Sequence, residues 1–429
     1  LVQGYFPSQW KIGKTIPIKK PGRPSDAANS YRPITLLSAI SKVVEKLILD
    51  RIKSHAANNN IIPEMQYGFR EKHSTLHPLC RLVEDITTEF NKKRSTGLIL
   101  IDLEKAFDSI WTKGLIHKLI NLKFPPYLTN IISSYLNDRT FLVHVDNACS
   151  HPRTAPEGVP QGSLLGPILF NIYIHDLPTH PDTTTLVYAD DIAIYTTSSA
   201  IKPIDRKLQK HLDVLTKYTN KWKLKISGTK TEAILLTKGT KIKRKKAIVK
   251  IGEDEIKWKS YVKYLGITID TRLNFNQHIK TSTQKAHVIR NTLHPLLKNK
   301  TLDTNTKIAL YKTMTRPILT YGCPIWNIIG RGNQKHLQRV QNRSLRQILN
   351  MERRVETGRH YPITTLHTNA KIETLWDHII CLTRSFYKKC HESDNKSIAA
   401  LGRQRTGDTW QRSQALPNYI LEENPSQPE

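Results

Sequence analysis

The sequence has few cysteines, no long apolar run and a shortage of acidic residues. Its five cysteines include no Cys-x-x-Cys pair, so the sequence indicates neither a disulfide framework nor a zinc knuckle, and reduced thiols are expected. No uncharged apolar stretch reaches the roughly 18 residues that a membrane-spanning helix requires, so no membrane partner is expected. The sequence therefore predicts a protein stabilised by apolar cores and not by disulfides or zinc.

Acidic residues number 36 against 66 lysines and arginines, which gives a formal net charge of +30 in 429 residues. Hydrophobic residues make up 38% of the chain, which is sufficient for folded cores, and the length predicts roughly three domains. The excess positive charge therefore belongs to a folded surface. The commonest partner of such a surface is a phosphate backbone.

The scarce acids include three that end predicted strands. The apolar run 98–101 ends at Asp102, and Asp190 and Asp191 lie between two apolar segments, which predicts a hairpin with both acids at its tip. If these strands are neighbours, the carboxylates converge, and a pair of Mg²⁺ ions would relieve their repulsion and support in-line phosphoryl transfer. Taken singly, Asp102 also fits a helix N-cap, and the other two fit a solvated turn.

Seven segments in a fixed order resemble the reverse transcriptase of non-LTR (LINE-type) retrotransposons, and the jockey-type elements in particular. The three longest are Leu100-Ile101-Asp102-Leu103-Glu104-Lys105-Ala106-Phe107-Asp108, Gly158-Val159-Pro160-Gln161-Gly162-Ser163 and Tyr188-Ala189-Asp190-Asp191. The shorter ones, which resemble finger, lysine and primer-grip blocks, are Tyr31-Arg32-Pro33-Ile34, Gln66-Tyr67-Gly68-Phe69-Arg70 with Ser74-Thr75, Lys230-Thr231-Glu232 and Tyr264-Leu265-Gly266. The resemblance covers residues 5 to 350.

The resemblance implies an α+β right-hand polymerase with fingers, a palm whose antiparallel sheet packs on helices, and a helical thumb. The implied limits are 1–97 for the fingers with a return over 112–157, 98–111 and 158–275 for the palm, 276–350 for the thumb and 351–429 for a C-terminal extension. The tail after about residue 394 is polar and poor in apolar periodicity, and we expect it to be loosely ordered.

In this family Asp102, Asp190 and Asp191 correspond to the catalytic and metal-binding carboxylates. The resemblance implies two Mg²⁺ ions, with Mn²⁺ as a substitute. Lys230 corresponds to a palm lysine near the departing phosphates, where it is a candidate general acid. The family usually has asparagine three residues before this lysine, and here Ser227 occupies that position.

Four further residues are candidates for nucleotide binding. Phe107 resembles an aromatic gate that excludes a 2′-hydroxyl by its bulk, and its alternative role is that of a core aromatic. Gln161 and Gly162 resemble a loop that steadies the nucleotide and the template, although without the resemblance Gln161 is an ordinary loop residue. Arg70 is a candidate triphosphate contact, because a guanidinium binds phosphate oxygens in a fork, or else a member of a surface ion pair.

Other residues are candidates for contact with nucleic acid. Tyr264 and Gly266 belong to the segment that resembles the primer grip. Arg339, Arg343 and Arg346 follow at helical spacing beside an apolar stripe, which predicts either a thumb surface along the template-primer backbone or a solvated helix face. The basic run 241–246 fits a phosphate clamp or a nuclear-localisation signal.

The implied activity is RNA-directed DNA polymerisation on an RNA template, with a DNA primer or target DNA and dNTPs as partners. We expect the protein to act in the nucleus after synthesis in the cytoplasm. An endonuclease is expected on the full-length polypeptide, but none is visible in this chain, which begins at Leu1 and is therefore expected to be a fragment.

Two other functions compete with this one. An RNA-templated RNA polymerase shares the same palm, and Phe107 argues against it if the ring closes off the ribose. A decayed or domesticated copy would bind nucleic acid without polymerising. The three intact acids argue against that alternative, whereas Ser227 keeps it open.

Overall fold

The structure is a computed structural model that describes residues 3–238, 249–351, 353 and 357–402. Its strands are β1 Ile12–Lys19, β2 Tyr31–Leu36, β3 Ser95–Asp102, β4 Thr140–Val145, β5 Ala148–Cys149, β6 Arg153–Thr154, β7 Thr184–Tyr188, β8 Asp191–Ser198, β9 Glu232–Leu236, β10 Lys250–Ile251, β11 Asp254–Glu255, β12 Lys257–Lys259, β13 Tyr261–Tyr264 and β14 Ile267–Asp270. Its helices are α1 Ala39–Asn58, α2 Leu76–Asn91, α3 Thr112–Asn121, α4 Pro126–Leu136, α5 Gly166–Tyr173, α6 Ile201–Lys221, α7 Asn276–Thr292, α8 His294–Lys298, α9 Thr304–Leu310, α10 Arg316–Thr320, α11 Cys323–Trp326, α12 Arg331–Leu349, α13 Ile363–Ala370, α14 Leu375–His391 and α15 Lys396–Ala399.

A five-stranded sheet at the centre of the fold has the strand order β12-β9-β3-β8-β7, with only the β12-β9 pair parallel. Its middle strand β3 is apolar over 98–101 because both of its faces are covered. Helices α3, α5 and α6 share a core with the residues of one face. A second core on the other face contains residues of α2, β13, β14, α7, α10, α11, α12, α14 and α15. This mixture of sheets and helices confirms the α+β class.

A second sheet joins two distant parts of the chain. β1 pairs with β2 in antiparallel fashion and with β4 in parallel fashion, although β4 lies more than a hundred residues later. The predicted strand at 141–145 is therefore present, and it lies beside the first strands of the chain. The loop 158–165, which carries Gln161, adjoins this sheet through a hydrogen bond from the Thr35 amide to the Gln161 carbonyl oxygen (2.7 Å).

The apolar residues at 40, 43, 44, 47 and 48 have the spacing of an amphipathic helix, and α1 forms over them, but several of them are not buried. Ile48, Leu49 and Ile52 are buried, whereas Ile40, Val43 and Leu47 are 52–63% exposed. The buried face is rotated because the helix turns Glu45, which is fully buried, towards the loop 158–165. The apolar spacing alone does not reveal this polar anchor.

The segment 276–349 is helical as predicted, with a π-helical turn over Tyr311–Thr315. In α12 the stripe of Leu337, Val340, Leu345 and Ile348 is buried as expected. None of the helices in the described residues is both long and apolar enough to cross a membrane. All five cysteines are described and none forms a disulfide.

The prediction that the tail is loosely ordered after residue 394 is wrong for 394–402. Residues 396–399 form α15, and Ile398 and Leu401 are each 1% exposed because they pack in the second core. The amide of Gly402 also donates to Glu84 Oε1 at 2.8 Å. Two buried side chains and several hydrogen bonds, among them one from Ser397 to Glu64, therefore hold a segment whose local sequence has no clear periodicity. Residues 403–429 and the basic run 241–246 lie outside the described residues.

Candidate functional site

The three candidate carboxylates lie at one edge of the central sheet. Asp102 ends β3, and its Cα faces that of Asp191, the first residue of β8. Directly opposed residues of an antiparallel pair have Cα atoms about 5 Å apart. Asp190 precedes Asp191 in the two-residue turn between β7 and β8. The predicted hairpin, and the approach of its acids to Asp102, are therefore present.

The turn that carries Asp190 has a strained backbone. Ala189 has φ +57°, a conformation that residues with a side chain rarely adopt and that costs on the order of 1 kcal/mol. The buried side chain of Gln66 stabilises this turn, because its Oε1 accepts from the amides of Ala189 (3.0 Å) and Gly68 (2.7 Å). Gln66 belongs to a segment that the sequence singles out, but no local signal reveals this role.

Gly68 allows the segment before α2 to approach the turn. A Cβ on Gly68 would lie 2.3 Å from the nitrogen of Ala189, which is closer than non-bonded atoms can come. Hydrogen bonds from the Tyr67 amide to the Val187 carbonyl and from the Val187 amide to the Met65 carbonyl, both 2.8 Å, fix the same contact. The segment 65–68, which is not part of the β7-β8 hairpin, thus holds the turn that carries the acids in place.

Asp190 and Asp191 both have raised pKa values. Burial, followed by the charges of Asp190 and Asp102, raises the pKa of Asp191 to about 6. Burial and the charge of Asp102 also raise the pKa of Asp190. This edge therefore carries negative charge that a cation would stabilise.

A lysine already lies at this edge. Lys230 Nζ lies 3.0 Å from Asp102 Oδ2, and both side chains are partly exposed. Ser227 shapes the loop before this lysine, because its amide donates to the Asp102 carbonyl (2.9 Å) and its carbonyl accepts from the Thr231 amide (2.9 Å) and hydroxyl (2.8 Å). Because these contacts use mainly backbone atoms of residue 227, the loop forms with serine in place of the family's usual asparagine.

The oxygens of the three acids are the ligand type that Mg²⁺ prefers. Within the described residues, however, no group of three or more His, Cys, Asp or Glu side chains is arranged so that it could hold a metal ion. Asp102, Asp190 and Asp191 thus supply the chemistry of a divalent-cation site, but their side chains do not form a completed cage. Substrate oxygens would have to complete the coordination.

Phe107 lies between two other aromatic rings. Its ring centroid is 4.9 Å from that of Phe170 and 5.9 Å from that of Phe69, the second pair edge to face. The ring is partly buried, and Phe69 is 49% exposed. Phe107 packs against Phe170, which fits the alternative of a core aromatic. It also contacts Phe69, which is partly exposed, so the three rings extend to the surface, as the predicted gate requires.

Gln161 is fixed by a residue to which the sequence assigns no role. Its Nε2 donates to both carboxylate oxygens of Asp108, each at 3.1 Å, and so its Oε1 is directed elsewhere as an acceptor. The two side chains line a cavity of about 290 Å³ together with Lys11 and Arg139. Gly162 has φ +116°, and a Cβ there would lie 2.5 Å from the Thr35 carbonyl oxygen, so glycine is required.

Arg70 is engaged within its own segment. Its Nη1 donates to the carbonyls of Pro63 (3.1 Å) and Gln66 (3.2 Å), and burial lowers the pKa of this guanidinium. The alternative of a surface ion pair is not what the structure shows. A contact with a triphosphate stays a prediction and would have to use the other guanidinium nitrogens.

Tyr264 is only 3% exposed, so its ring is not a nucleic-acid contact in this structure. Its buried hydroxyl has no hydrogen-bond partner among the described residues, and burial together with nearby Asp191 raises its pKa. The reason is that the β13-β14 hairpin packs this ring against the central sheet. Leu265 and Gly266, both at positive φ, form the turn that adjoins the acids.

Tyr321 links this turn to two other regions. Its hydroxyl donates to the Leu265 carbonyl (2.8 Å) and lies 3.1 Å from the hydroxyl of Thr75, while a Cβ on Gly266 would lie 2.9 Å from its ring. The contact joins the turn, the start of α2 and the end of α10. It connects residues 246 positions apart, which explains why no sequence pattern reveals it.

The arginine stripe of α12 is only partly exposed. Arg339 and Arg343 are exposed, but Arg346 is half-buried, and its Nε has no hydrogen-bond partner among the described residues. Arg290 of α7 lies near Arg343, since this charge lowers the pKa of Arg290 after the effect of burial. Two helices therefore place cations side by side, an arrangement that favours an anion. Arg290 belongs to this group of neighbouring cations, and the residue spacing of α12 does not reveal it.

Residues 18–269 match the family described as reverse transcriptase (RNA-dependent DNA polymerase). The chain belongs to this family. It is 37% identical over 384 residues to the probable RNA-directed DNA polymerase from transposon BS of Drosophila melanogaster, an alignment that covers 87% of this chain and 42% of that protein. The chain thus spans less than half the length of this relative.

Two further relatives support a reverse transcriptase of the non-LTR, jockey-like group. Identity is 32% to the probable RNA-directed DNA polymerase from transposon X-element (98% of this chain, 46% of that protein) and 31% to the RNA-directed DNA polymerase from mobile element jockey (93% and 43%), both of Drosophila melanogaster. Among solved structures, apo telomerase from Candida tropicalis aligns with a TM-score of 0.44 at 12% identity, over 91% of this chain and 67% of that one. The recognition from sequence motifs is confirmed.

Proposed function

We propose that this reverse transcriptase chain extends a DNA primer on an RNA template by transferring nucleotides to the primer 3′-hydroxyl. The observation that carries the proposal is the edge where Asp102 faces Asp191 beside Asp190. Negative charge is concentrated there in a protein of net charge +30. An acidic centre in a basic surface suits a site that attracts a polyanion and holds cations at the reacting phosphate.

Asp102, Asp190 and Asp191 would hold Mg²⁺, or Mn²⁺ in its place. Two such ions, when bound, would activate the 3′-hydroxyl and stabilise the leaving pyrophosphate. Lys230, beside Asp102, would hold a proton close to the departing phosphates. The chain itself contributes mainly position and charge, because phosphoryl transfer asks for little covalent chemistry from the protein.

Phe107 and Gln161 would select and orient the incoming nucleotide. Packing on Phe170 holds the Phe107 ring, so its exposed edge could exclude a 2′-hydroxyl. The Asp108 carboxylate directs the Gln161 amide, which leaves Oε1 to accept from a sugar or a base. Arg339 and Arg343 would follow the template-primer backbone without reading its sequence. The proposed partners are RNA template, primer DNA and dNTPs. The proposed site of action is the nucleus.

Primer extension on an RNA template with Mg²⁺ tests this proposal. The wild-type chain should extend the primer, and Asp190→Asn should bind the same template-primer without extending it. Asp182→Asn is a matched control, because this acid lies just before the far end of the β7-β8 hairpin. Equal template binding by both proteins with no extension by either would favour the binding-only alternative.

The same assay distinguishes the RNA-templated RNA polymerase. Wild type should incorporate dNTPs in preference to rNTPs, and Phe107→Ala should narrow that preference by admitting the 2′-hydroxyl. A wild type that prefers rNTPs would show that the product is RNA.

A further inference from the structure

The exposed face of α6 carries a stripe of five cations, Lys202, Arg206, Lys210, Lys217 and Lys221. At 3.6 residues per turn they fall within an arc of about 100° and span about 28 Å of the helix. The opposite face is apolar, with Ile204, Leu208 and Leu212 buried in the first core. We call these five residues the α6 stripe.

The α6 stripe is built from charges that repel one another. Lys202 and Arg206, Arg206 and Lys210, and Lys217 and Lys221 are each four residues apart, and like charges at this spacing destabilise a helix. Lys202 also lies in the first turn, where the helix dipole disfavours cations. In the described part of the chain, no carboxylate lies within ion-pair distance of any of the five.

The surroundings of the α6 stripe do not neutralise it. Asp213, the one acid among the exposed residues of α6, lies within the same arc between Lys210 and Lys217, so it offsets one of the five positive charges. Its carboxylate accepts a hydrogen bond from Gln209 and is not within ion-pair distance of the stripe, which keeps a net charge of about +4. At the end of the helix, Lys221 lies close enough to Lys118 to lower the pKa of that buried ammonium. Two other helices contain paired charges, Lys46 with Asp50 in α1 and Arg81 with Asp85 in α2. An unpaired stripe that costs helix stability suggests an anionic partner.

The face has the wrong composition for a membrane or a protein interface. Its exposed apolar residue is Val214 alone, whereas an interfacial helix needs a broad apolar face and a protein interface needs buried aromatic or apolar anchors. Regularly spaced cations without apolar anchors fit the phosphates of a nucleic acid, which such a surface binds without reading sequence.

The α6 stripe is separate from the arginines of α12. Helix α6 packs on the face of the central sheet opposite to α2 and α12, since its apolar residues and those of α12 belong to different cores. The helix begins after β8 has left the acid-bearing edge and returns towards it, and Ile226 beyond its end bridges Leu103 next to Asp102. The α6 stripe therefore leads along the back of the sheet to the edge with the acids.

We propose that the α6 stripe binds the phosphodiester backbone of a nucleic acid outside the template-primer path. The site would hold a second segment of RNA or DNA near the catalytic edge. This binding does not depend on polymerase activity, so it can be tested even if the proposed function fails.

The test uses one substitution whose effects on folding and on binding have opposite signs. Arg206→Glu places a carboxylate between Lys202 and Lys210 and so creates two attractive pairs. The melting temperature should stay the same or rise. Affinity for fluorescent single-stranded RNA or double-stranded DNA, measured by anisotropy with the full chain, should fall at least about fivefold, and the slope of log K against log salt should flatten by about 1.

Lys389→Glu in α14 is the matched control, since it makes the same charge change at another exposed helical cation. It should leave affinity within about twofold of wild type. Equal losses for both substitutions would show an effect of net charge and would overturn the proposal, as would unchanged binding by Arg206→Glu. The RNA and DNA arms identify the source of the phosphates. A loss seen only with phosphatidylserine vesicles would assign the α6 stripe to a membrane instead.

Discussion

The acid-bearing edge and the loop 158–165 lie in the same part of the fold, but they are stabilised in opposite ways. At the edge, Asp190 and Asp191 have raised pKa values and the turn has a strained residue, Ala189. In the loop, buried Glu45 accepts from the Ser163 hydroxyl (3.0 Å) and the Leu164 amide (2.7 Å). The edge thus carries two carboxyl groups that repel each other, whereas the loop is anchored by hydrogen bonds to a buried carboxylate.

Other contacts of the loop show the same pattern. Arg139, 7% exposed, donates through Nη2 to the carbonyls of Glu157 (2.7 Å) and Gly158 (2.8 Å). The Ser163 hydroxyl accepts from the amides of Leu165 and Gly166, where α5 begins. Repulsion between neighbouring carboxylates therefore costs stability at the edge, whereas satisfied buried hydrogen bonds contribute stability in the loop.

The largest expected effect is on activity at the edge. Asp190→Asn removes a charge that a cation at the reacting phosphate would need, so extension should fall by at least about 100-fold. The melting temperature in the absence of metal should rise, because the repulsion with Asp102 and Asp191 is relieved. Mg²⁺ should raise the melting temperature of wild type but not that of the variant. Extension at the wild-type rate would remove Asp190 from the site.

The next effect is on stability in the loop. Glu45→Ala leaves the Ser163 hydroxyl and the Leu164 amide without their buried acceptor and should cost about 2–4 kcal/mol of unfolding free energy. Asp50→Ala in the same helix breaks an exposed ion pair and should cost less than about 1 kcal/mol. Urea denaturation of both variants measures the difference, and equal costs would show that the loop is not anchored through Glu45.

A smaller effect should separate orientation from catalysis. Asp108→Ala frees the Gln161 amide to rotate, so KM for dNTP should rise about tenfold with kcat changed less than about threefold. Asp108→Ala should add nothing in a Gln161→Ala background, because it acts through that amide. Steady-state kinetics of the two single variants and the double variant measure this coupling. Additive losses would mean that Asp108 has a separate role.

The smallest effect is a dependence on pH. The pKa of Asp191 is raised from its ordinary value of 3.8 to about 6, so the folded chain binds more protons than the unfolded chain between these values. Stability attributable to this group is therefore greatest below pH 4 and falls as pH rises to about 6, by about 1 kcal/mol once solvent screening is allowed for. Affinity for Mg²⁺ should rise over the same interval. Thermal melts of wild type and Asp191→Asn from pH 4 to 7 measure the difference, and parallel curves would contradict it.

The sequence predicts what depends on local pattern. The apolar run before Asp102, the hairpin at Asp190 and the two faces of α12 all follow from residue spacing, and the structure contains them. The family motifs add the reverse transcriptase family, which the comparisons confirm. These features are encoded within about ten neighbouring residues, and hence a single sequence reveals them.

What the sequence does not predict depends on contacts between distant segments. Gln66 reaches the turn at 189, Glu45 reaches the loop at 163, and Tyr321 reaches Thr75. Each pair is separated by more than a hundred residues, and each residue type is common on protein surfaces. The buried ring of Tyr264 and the exposed side of α1 have the same cause, because burial is decided by which element arrives from elsewhere.

The glycine at position 68 sets a fixed mechanical relation between two parts of the molecule. The backbone of Gly68 packs directly against the backbone of Tyr188 and Ala189. Since no side chain lies between the two segments, a change of side-chain rotamer cannot alter their separation. Movement of one segment must displace the other or break the contact. A side chain at this position would push the Gln66 segment and the Asp190 turn apart. A larger side chain should displace the acids further.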